Sequence, residues 1–178
     1  MTVLSNKEAA LIGLLLEEPM YPYQIEKVVQ FRDMRSWTEI SMSSIYKVLS
    51  KLEEKGFVES KVSISDENKP QKVFSVTGNG REAMREKVRE LVSKPESMKW
   101  RVDVGTYNLD VLSKKEMAEA IGEYEKGLKE LLKGYGELED YMRGEGCPEW
   151  RIAVAVRPQY LLKAEIEWAR VLRKKTGF

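Results

Sequence analysis

The sequence contains no histidine and only one cysteine, Cys147. Without histidine, the chain lacks the commonest general base and the usual partner of a serine or cysteine nucleophile. A single cysteine cannot form a disulfide within one chain, and it cannot build a zinc site from cysteine and histidine ligands. No glycine-rich phosphate-binding loop is present either. Chemistry based on carboxylates alone remains open, but the sequence predicts a protein that is not an enzyme and that holds no metal and no cofactor.

The sequence also lacks a charge excess and a long apolar segment. It has 30 Lys and Arg residues against 29 Asp and Glu residues, so the net charge of +1 points neither toward nucleic acid nor away from it. The apolar run at residues 9–16 is flanked by Lys7, Glu8, Glu17 and Glu18, which is unlike a signal peptide or a membrane span. We therefore expect a cytoplasmic protein that does not enter a membrane.

The first half of the chain has the pattern of helices followed by a β-hairpin. Ser5 and Glu8 have the spacing of a helix-capping box, and Pro22 suits the first turn of a second helix. A third helix follows and ends at Gly56. Two runs rich in β-branched and aromatic residues come next, and the turn-forming residues 65–70 between them predict a hairpin.

A fourth helix is predicted over roughly residues 80–92, packed through Met84, Val88 and Leu91. Trp37 is expected to anchor the connection between the second and third helices in the core. The order helix, helix, helix, hairpin, helix is that of a winged helix-turn-helix domain.

Pro95 and the small polar residues after it mark the best domain boundary. The predicted fold class is therefore mainly α, in two parts. Residues 1–94 form a winged helix-turn-helix domain with a two-stranded wing, and residues 95–178 form an all-α helical dimerisation domain that is a candidate for effector sensing.

The second half of the chain carries a seam of apolar residues at alternating spacings of four and three. It begins after a second capping-box pattern, Ser113 with Glu116, and a last helix opens at Pro148. Such a seam forms either an intrachain antiparallel helix pair or a dimer interface, and both remain open. The residues predicted for a dimer interface are Ile121, Tyr124, Leu128, Leu131, Tyr135, Leu161 and Trp168.

The third predicted helix has an apolar face and a polar, cationic one. Small hydroxyls at the front of such a helix let the backbone approach a DNA major groove, and lysines along the flank replace phosphate counterions. The alternative is an ordinary solvated face, partly neutralised by Glu53 and Glu54. The residues predicted to contact DNA are Ser43, Ser44, Lys47, Ser50 and Lys51 on the helix, with Lys69 and Lys72 at or after the hairpin tip.

Residues in the first half resemble the PadR family of prokaryotic transcriptional regulators. The matching stretches are ALIGLLLEEPMYPYQI, SSIYKVLSKLEEKGFVES and NKPQKVFSVTGNGRE, in that order. The resemblance implies a homodimeric DNA-binding repressor, less often an activator, on a roughly palindromic operator, with the C-terminal helices forming the dimer. It also implies that Tyr46 either contacts the DNA backbone or packs at the edge of the core. Some members bind a small aromatic or drug-like effector, for which Trp100 and Trp168 are the candidate pocket residues here.

The sequence departs from the family pattern near the reading helix. Tyr21-Pro22-Tyr23 stands where His-Gly-Tyr is usual, Met42-Ser43 replaces a Pro-Gly pair, and Lys47 replaces a common proline. The operator sequence therefore cannot be inferred from a relative. The alternative function is a winged-helix protein-interaction module without DNA binding, which the small net charge would suit.

Overall fold

The computed structural model describes residues 4–64, 70–96 and 99–177, which fall into two compact units, Met1–Ser97 and Met98–Phe178. The first unit contains α1 (Asn6–Leu15), α2 (Pro22–Phe31), a short 3-10 turn (Met34–Ser36), α3 (Met42–Glu54), β1 (Val58–Ile64), β2 (Pro70–Val76) and α4 (Gly78–Ser93). The second contains α5 (Arg101–Tyr107), a 3-10 turn (Leu109–Val111), α6 (Lys114–Gly144) and α7 (Glu149–Thr176). The predicted mainly α fold and its order of elements are confirmed, whereas α5 was not predicted.

The helix starts follow the local sequence signals. The Ser5 backbone N–H donates to Glu8 Oε2 at 2.8 Å, and the Glu8 N–H donates to Ser5 Oγ at 3.3 Å, which completes the capping box of α1. Ser113 and Glu116 make the same pair of bonds at the start of α6. α2 begins at Pro22, where a missing N–H costs no helical hydrogen bond.

The core of the first unit surrounds α1. This helix contacts α3, α4 and β2, which explains why its sequence is apolar on nearly all sides. The fully buried side chains come from α1, α2, α3 and β1: Leu11, Ile12, Ile25, Val29, Ile45, Leu49, Leu52 and Val58.

Two packing predictions for the first unit are wrong. Trp37 is 60% exposed, because the 3-10 turn directs Met34 and Ile40 into the core instead. Val88 and Leu91 are each 43% exposed, since α4 is 16 residues long and extends past α1, which has 10. α4 instead packs near its start, through Gly80 and the half-buried Met84.

The hairpin is antiparallel, with Val58 paired to Val76 at its base and Ile64 paired to Pro70 at its far end. Met20 forms an additional β-bridge with Phe74, with N–H···O distances of 3.1 and 2.9 Å, and so ties β2 to the α1–α2 connection. No sequence signal predicted this bridge. Most of the turn predicted at 65–70, including Lys69, lies outside the described residues.

The second unit is built on α6 and α7, which pack against each other. Tyr124 contacts Glu165, Glu139 contacts Gln159 and Arg143 contacts Glu149, so the helices are antiparallel. The buried side chains between them come from both helices: Ile121, Leu128, Ile152, Ala155, Ile166 and Ala169. Within the three described ranges, no helix combines the length and apolar character needed to cross a membrane.

Candidate nucleic-acid interface

α3 turns its polar face outward. Ile45, Leu49 and Leu52 are buried in the core, whereas the residues predicted to contact DNA lie on the other side of the helix. Ser43, Lys47, Ser50 and Lys51 are exposed, Tyr46 is 58% exposed, and Ser44 is half-buried. The chain itself therefore does not cover this face.

The serines at the front of α3 bond to one another. Ser44 Oγ accepts a hydrogen bond from the Ser41 N–H at 2.9 Å and donates to the Ser41 carbonyl at 2.7 Å. The Ser41 and Ser43 hydroxyls lie 3.2 Å apart, and both residues are exposed. The Ser44 hydroxyl thus stabilises the start of the helix, and those of Ser41 and Ser43 remain accessible from outside.

An arginine fixes the connection between α2 and α3. Arg35 donates to both carboxylate oxygens of the buried Glu26, at 2.7 and 2.8 Å, and its Nε–H donates to the Ile40 carbonyl at 3.1 Å. The arginine therefore ties α2 to Ile40, the residue just before Ser41, which is the N-cap of α3. Sequence reasoning missed this contact, because two charges nine residues apart across a turn have no characteristic spacing.

The third lysine of the α3 region has a structural role. Lys55 lies at the C-terminal end of α3, and its Nζ donates to Oε1 of the buried Glu8 on α1. Burial alone raises the pKa of the Glu8 carboxyl, but hydrogen bonds from Lys55 and Ser5 and the charge of Lys55 outweigh it and hold that pKa below its ordinary value. The contact fixes the end of α3 against α1.

The turn after α3 is joined to α4 by close backbone packing. Gly56 has φ +70°, the left-handed conformation expected for a helix-capping glycine. Thr77 Oγ1 donates to the Gly56 carbonyl at 2.7 Å and accepts from the Gly80 N–H at 3.1 Å. A Cβ added to Gly80 would lie 2.0 Å from the Phe57 carbonyl oxygen, so only glycine fits there.

The described part of the hairpin presents one of its two predicted cations beside α3. Lys72 on β2 is exposed, and its Nζ lies 3.8 Å from Glu53 Oε2. Ser60 on β1 donates to Glu53 Oε1, so one α3 carboxylate contacts both strands. Among the residues described, no group of His, Cys, Asp and Glu side chains is placed to hold a metal ion.

The residues predicted for the dimer interface differ in how far the single chain buries them. Ile121 and Leu128 are buried within a single chain, whereas Leu131, on the same helix, is 56% exposed. Tyr135 and Leu161 are half-buried. The seam therefore contributes at least in part to the intrachain helix pair, and Leu131 remains available to another molecule.

The structure brings one predicted pocket residue, Trp168, against Tyr124. The rings meet edge to face with centroids 6.4 Å apart, and the Tyr124 hydroxyl donates to Glu165 at 3.0 Å. Burial and the Glu165 carboxylate raise the pKa of Tyr124 to about 12, with a smaller contribution from the charge of Asp103 on α5. Trp100, which is exposed, lies directly before α5.

Helices α1 to α3, with α3 turned outward, and the two-stranded wing define the first unit as a winged helix-turn-helix domain. Residues 11–86 match the model of the transcriptional regulator PadR-like family, so this domain is similar to that family. A comparison with curated protein sequences gave no significant match.

Solved structures of the same fold cover nearly the whole chain. Bacillus subtilis PadR in complex with operator DNA aligns with a TM-score of 0.77 and 18% identity, covering 94% of this chain and 97% of that one. The same protein in complex with p-coumaric acid aligns with a TM-score of 0.73 and 19% identity, covering 96% of this chain and 98% of that one. The Vibrio cholerae virulence activator AphA aligns with a TM-score of 0.65 and 18% identity, covering 96% of this chain and 97% of that one. At these identities the similarity concerns the fold.

Proposed function

We propose that this protein is a sequence-specific DNA-binding transcriptional regulator that acts in the cytoplasm without catalysis. The observation that carries the proposal is the exposed face of α3, which bears Ser43, Lys47, Ser50 and Lys51 on the side opposite the core. Its hydroxyls and cations suit a major groove, and the lysines would replace counterions of the phosphates. Ser44, Tyr46, Lys69 and Lys72 complete the proposed DNA-binding set.

We propose further that the regulator is a homodimeric repressor. Residues 1–94 would read one half-site of a roughly palindromic operator, and residues 95–178 would hold the two chains together. The B. subtilis PadR complex with operator DNA supports the DNA-binding part of this arrangement, because that structure aligns with both units of this chain. The two α3 helices would then lie about 34 Å apart, one turn of duplex.

Selection from a randomised duplex library, followed by a salt titration, tests DNA binding. We expect one enriched sequence with two-fold symmetry, and a log affinity that falls linearly with log salt by about 0.9 for each phosphate contact. A folded protein that binds neither selected nor random duplex at low salt would contradict the proposal. It would favour the protein-interaction module instead.

We also propose a small aromatic effector, bound near Trp168 and Trp100. The complex of B. subtilis PadR with p-coumaric acid supports this class of ligand, and the half-buried Trp168 beside Tyr124 offers an aromatic surface for it. p-Coumaric acid and related aromatic acids should quench tryptophan fluorescence and change affinity for the selected duplex. A Trp168→Phe variant should lose most of the quenching. Unchanged fluorescence and affinity across the series would refute this part of the proposal.

A further inference from the structure

Glu53 is an unexpected residue on α3, because it carries negative charge beside the face proposed to contact DNA. Tyr46, Ser50 and Glu53 are spaced by four and three residues, so they lie along one line of the helix. A carboxylate at the end of that line repels phosphates and therefore lowers affinity for DNA, so its presence there suggests a second role.

The contacts of Glu53 indicate that role. Ser60 on β1 donates to Glu53 Oε1, and Lys72 Nζ on β2 lies 3.8 Å from Glu53 Oε2. A single side chain of α3 therefore contacts the two strands of the wing at once. The carboxylate is mostly shielded, with about a third of the side chain exposed, whereas Lys72 is 60% exposed.

The outer wing has little packing of its own. Ser60 pairs with Phe74 and Val62 pairs with Lys72, and alternate residues of each strand share one face. On that face the base of the hairpin is buried at Val58 and Phe74, whereas Val62 and Ile64, farther along β1, are exposed. The contacts with Glu53 therefore lie where the buried base of the wing gives way to its exposed end.

We propose that Glu53 is a positioning residue for operator recognition. It fixes the wing against α3 through Ser60 and keeps the ammonium group of Lys72 beside the helix, so that helix and wing meet one duplex in a fixed geometry. The proposal rests on the DNA-binding function proposed above. It predicts that Glu53 lowers affinity for DNA in general but raises the preference for the selected sequence.

Three variants separate positioning from simple repulsion. Ser60→Ala breaks the wing contact without changing any charge, and we expect affinity for the selected duplex to fall about 3- to 10-fold, in the range of one ordinary hydrogen bond. Glu53→Ala should bind a scrambled duplex of equal length more tightly and should discriminate less between the two duplexes. Glu53→Gln retains an acceptor for Ser60, so it should keep most of the discrimination.

Glu54→Ala is the matched control, because Glu54 is an exposed glutamate on the same helix. Its removal deletes the same charge one residue away, and it should tighten binding to both duplexes alike. If Glu53→Ala behaved in the same way as Glu54→Ala, and Ser60→Ala bound like the unaltered protein, Glu53 would act only by repulsion and the positioning role would be overturned.

A measurement without DNA tests the wing directly. Nitroxide labels at Ser63→Cys on the wing and Glu86→Cys on α4, in a Cys147→Ser background and diluted with unlabelled protein, report the distance between wing and body of one chain. Glu53→Ala and Ser60→Ala should broaden the distance distribution, whereas Glu54→Ala should leave it unchanged. An unchanged distribution in all three overturns the role of Glu53. If the distance distribution broadened in Glu53→Ala and Ser60→Ala but the unaltered protein bound no duplex, only the DNA-binding function would be refuted.

Discussion

Gly80 is the residue at which a single added methyl group has the clearest predicted effect on the stability of the fold. A Cβ there would meet the Phe57 carbonyl oxygen at 2.0 Å and the Phe57 carbonyl carbon at 2.9 Å, and backbone atoms cannot rotate away as a flexible side chain can. Gly78, two residues earlier on α4, has open space where its Cβ would be.

We expect Gly80→Ala to destabilise the first unit by about 1–3 kcal/mol or more, because overpacking must displace backbone. Gly78→Ala should change the free energy of unfolding by less than about 1 kcal/mol, since it adds no clash. Chemical denaturation of both variants measures the difference. Equal stabilities would show that α4 moves away from Phe57 without cost.

The Glu8–Lys55 contact makes stability depend on acid. The folded-state pKa of Glu8 lies below its ordinary value of 4.5, so the stabilisation is complete above that value and is lost as pH falls through the folded-state pKa. Glu8→Gln should retain the hydrogen bond from the Ser5 N–H but remove the charge pair.

We expect Glu8→Gln to lower the free energy of unfolding at pH 7 by about 1–3 kcal/mol, the cost of losing a hydrogen bond between charged groups. The difference in the free energy of unfolding between the variant and the unaltered protein should narrow as pH falls below the ordinary value of 4.5 and through the lowered folded-state pKa of Glu8, where the carboxylate becomes protonated. Urea titrations at several pH values test this. A difference in the free energy of unfolding that stays constant with pH would mean that the contact contributes no pH-dependent stability.

At the scale of elements, α3 carries a direct test of the proposed function. Replacing Lys47 and Lys51 by alanine should weaken binding to the selected duplex and reduce the salt slope by about 1 for each phosphate that a lysine no longer neutralises. Both side chains are exposed, so the free energy of unfolding should change by no more than about 0.5 kcal/mol.

Lys114→Ala with Lys115→Ala is the control for total charge, because both lysines are exposed in the first turn of α6. Binding measured by fluorescence anisotropy should fall only for the α3 pair. An equal loss for both pairs would mean that affinity follows net charge rather than the face of α3. Unfolding of the α3 pair would mean that its lysines pack against the chain.

Local signals predicted the elements of this fold better than their contacts. The capping boxes of α1 and α6, Pro22 at the start of α2 and the glycine cap after α3 each depend on a few adjacent residues, and each lies where the sequence indicated. The apolar and polar faces of α3 followed from helical periodicity.

The errors and omissions concern long-range geometry. Trp37 was predicted to anchor the connection between α2 and α3 in the core, but the 3-10 turn before it determines which side chains face inward. The bridge between Met20 and Phe74 and the bond from Arg35 to Glu26 join residues that no sequence period relates. Ser44 was predicted to contact DNA as a donor, yet its hydroxyl also caps the helix, a local role that its spacing from Ser41 could have indicated.

At the scale of the whole molecule, Leu131 offers a test of the proposed homodimer. It is 56% exposed in the single chain, whereas Leu128, three residues earlier, is buried. Leu131→Glu should therefore yield a folded monomer, measurable by analytical ultracentrifugation together with circular dichroism. Leu128→Glu should instead destabilise the α6–α7 pair by about 2–5 kcal/mol or more, because it replaces a buried leucine with a charge.

Lys133→Glu serves as the control, since it places a new glutamate at an exposed position of α6 and changes the net charge by −2, which is more than the −1 of Leu131→Glu. We expect that variant to remain dimeric. A Leu131→Glu protein that kept the mass of a dimer would place the interface on another surface of the chain.

The close packing at Gly80 also has a mechanical consequence. The first turn of α4 is fixed to the backbone that joins α3 to the wing, and the helix, 16 residues in all, ends at Ser93. A helix of this length bends little, so α4 is expected to behave as a rigid element that is held near its start by the contact with Phe57. A tilt of the far end of α4, roughly twenty ångströms away at about 1.5 Å of rise per residue, would therefore be transmitted to the backbone between α3 and β1 and would change the angle between those two elements.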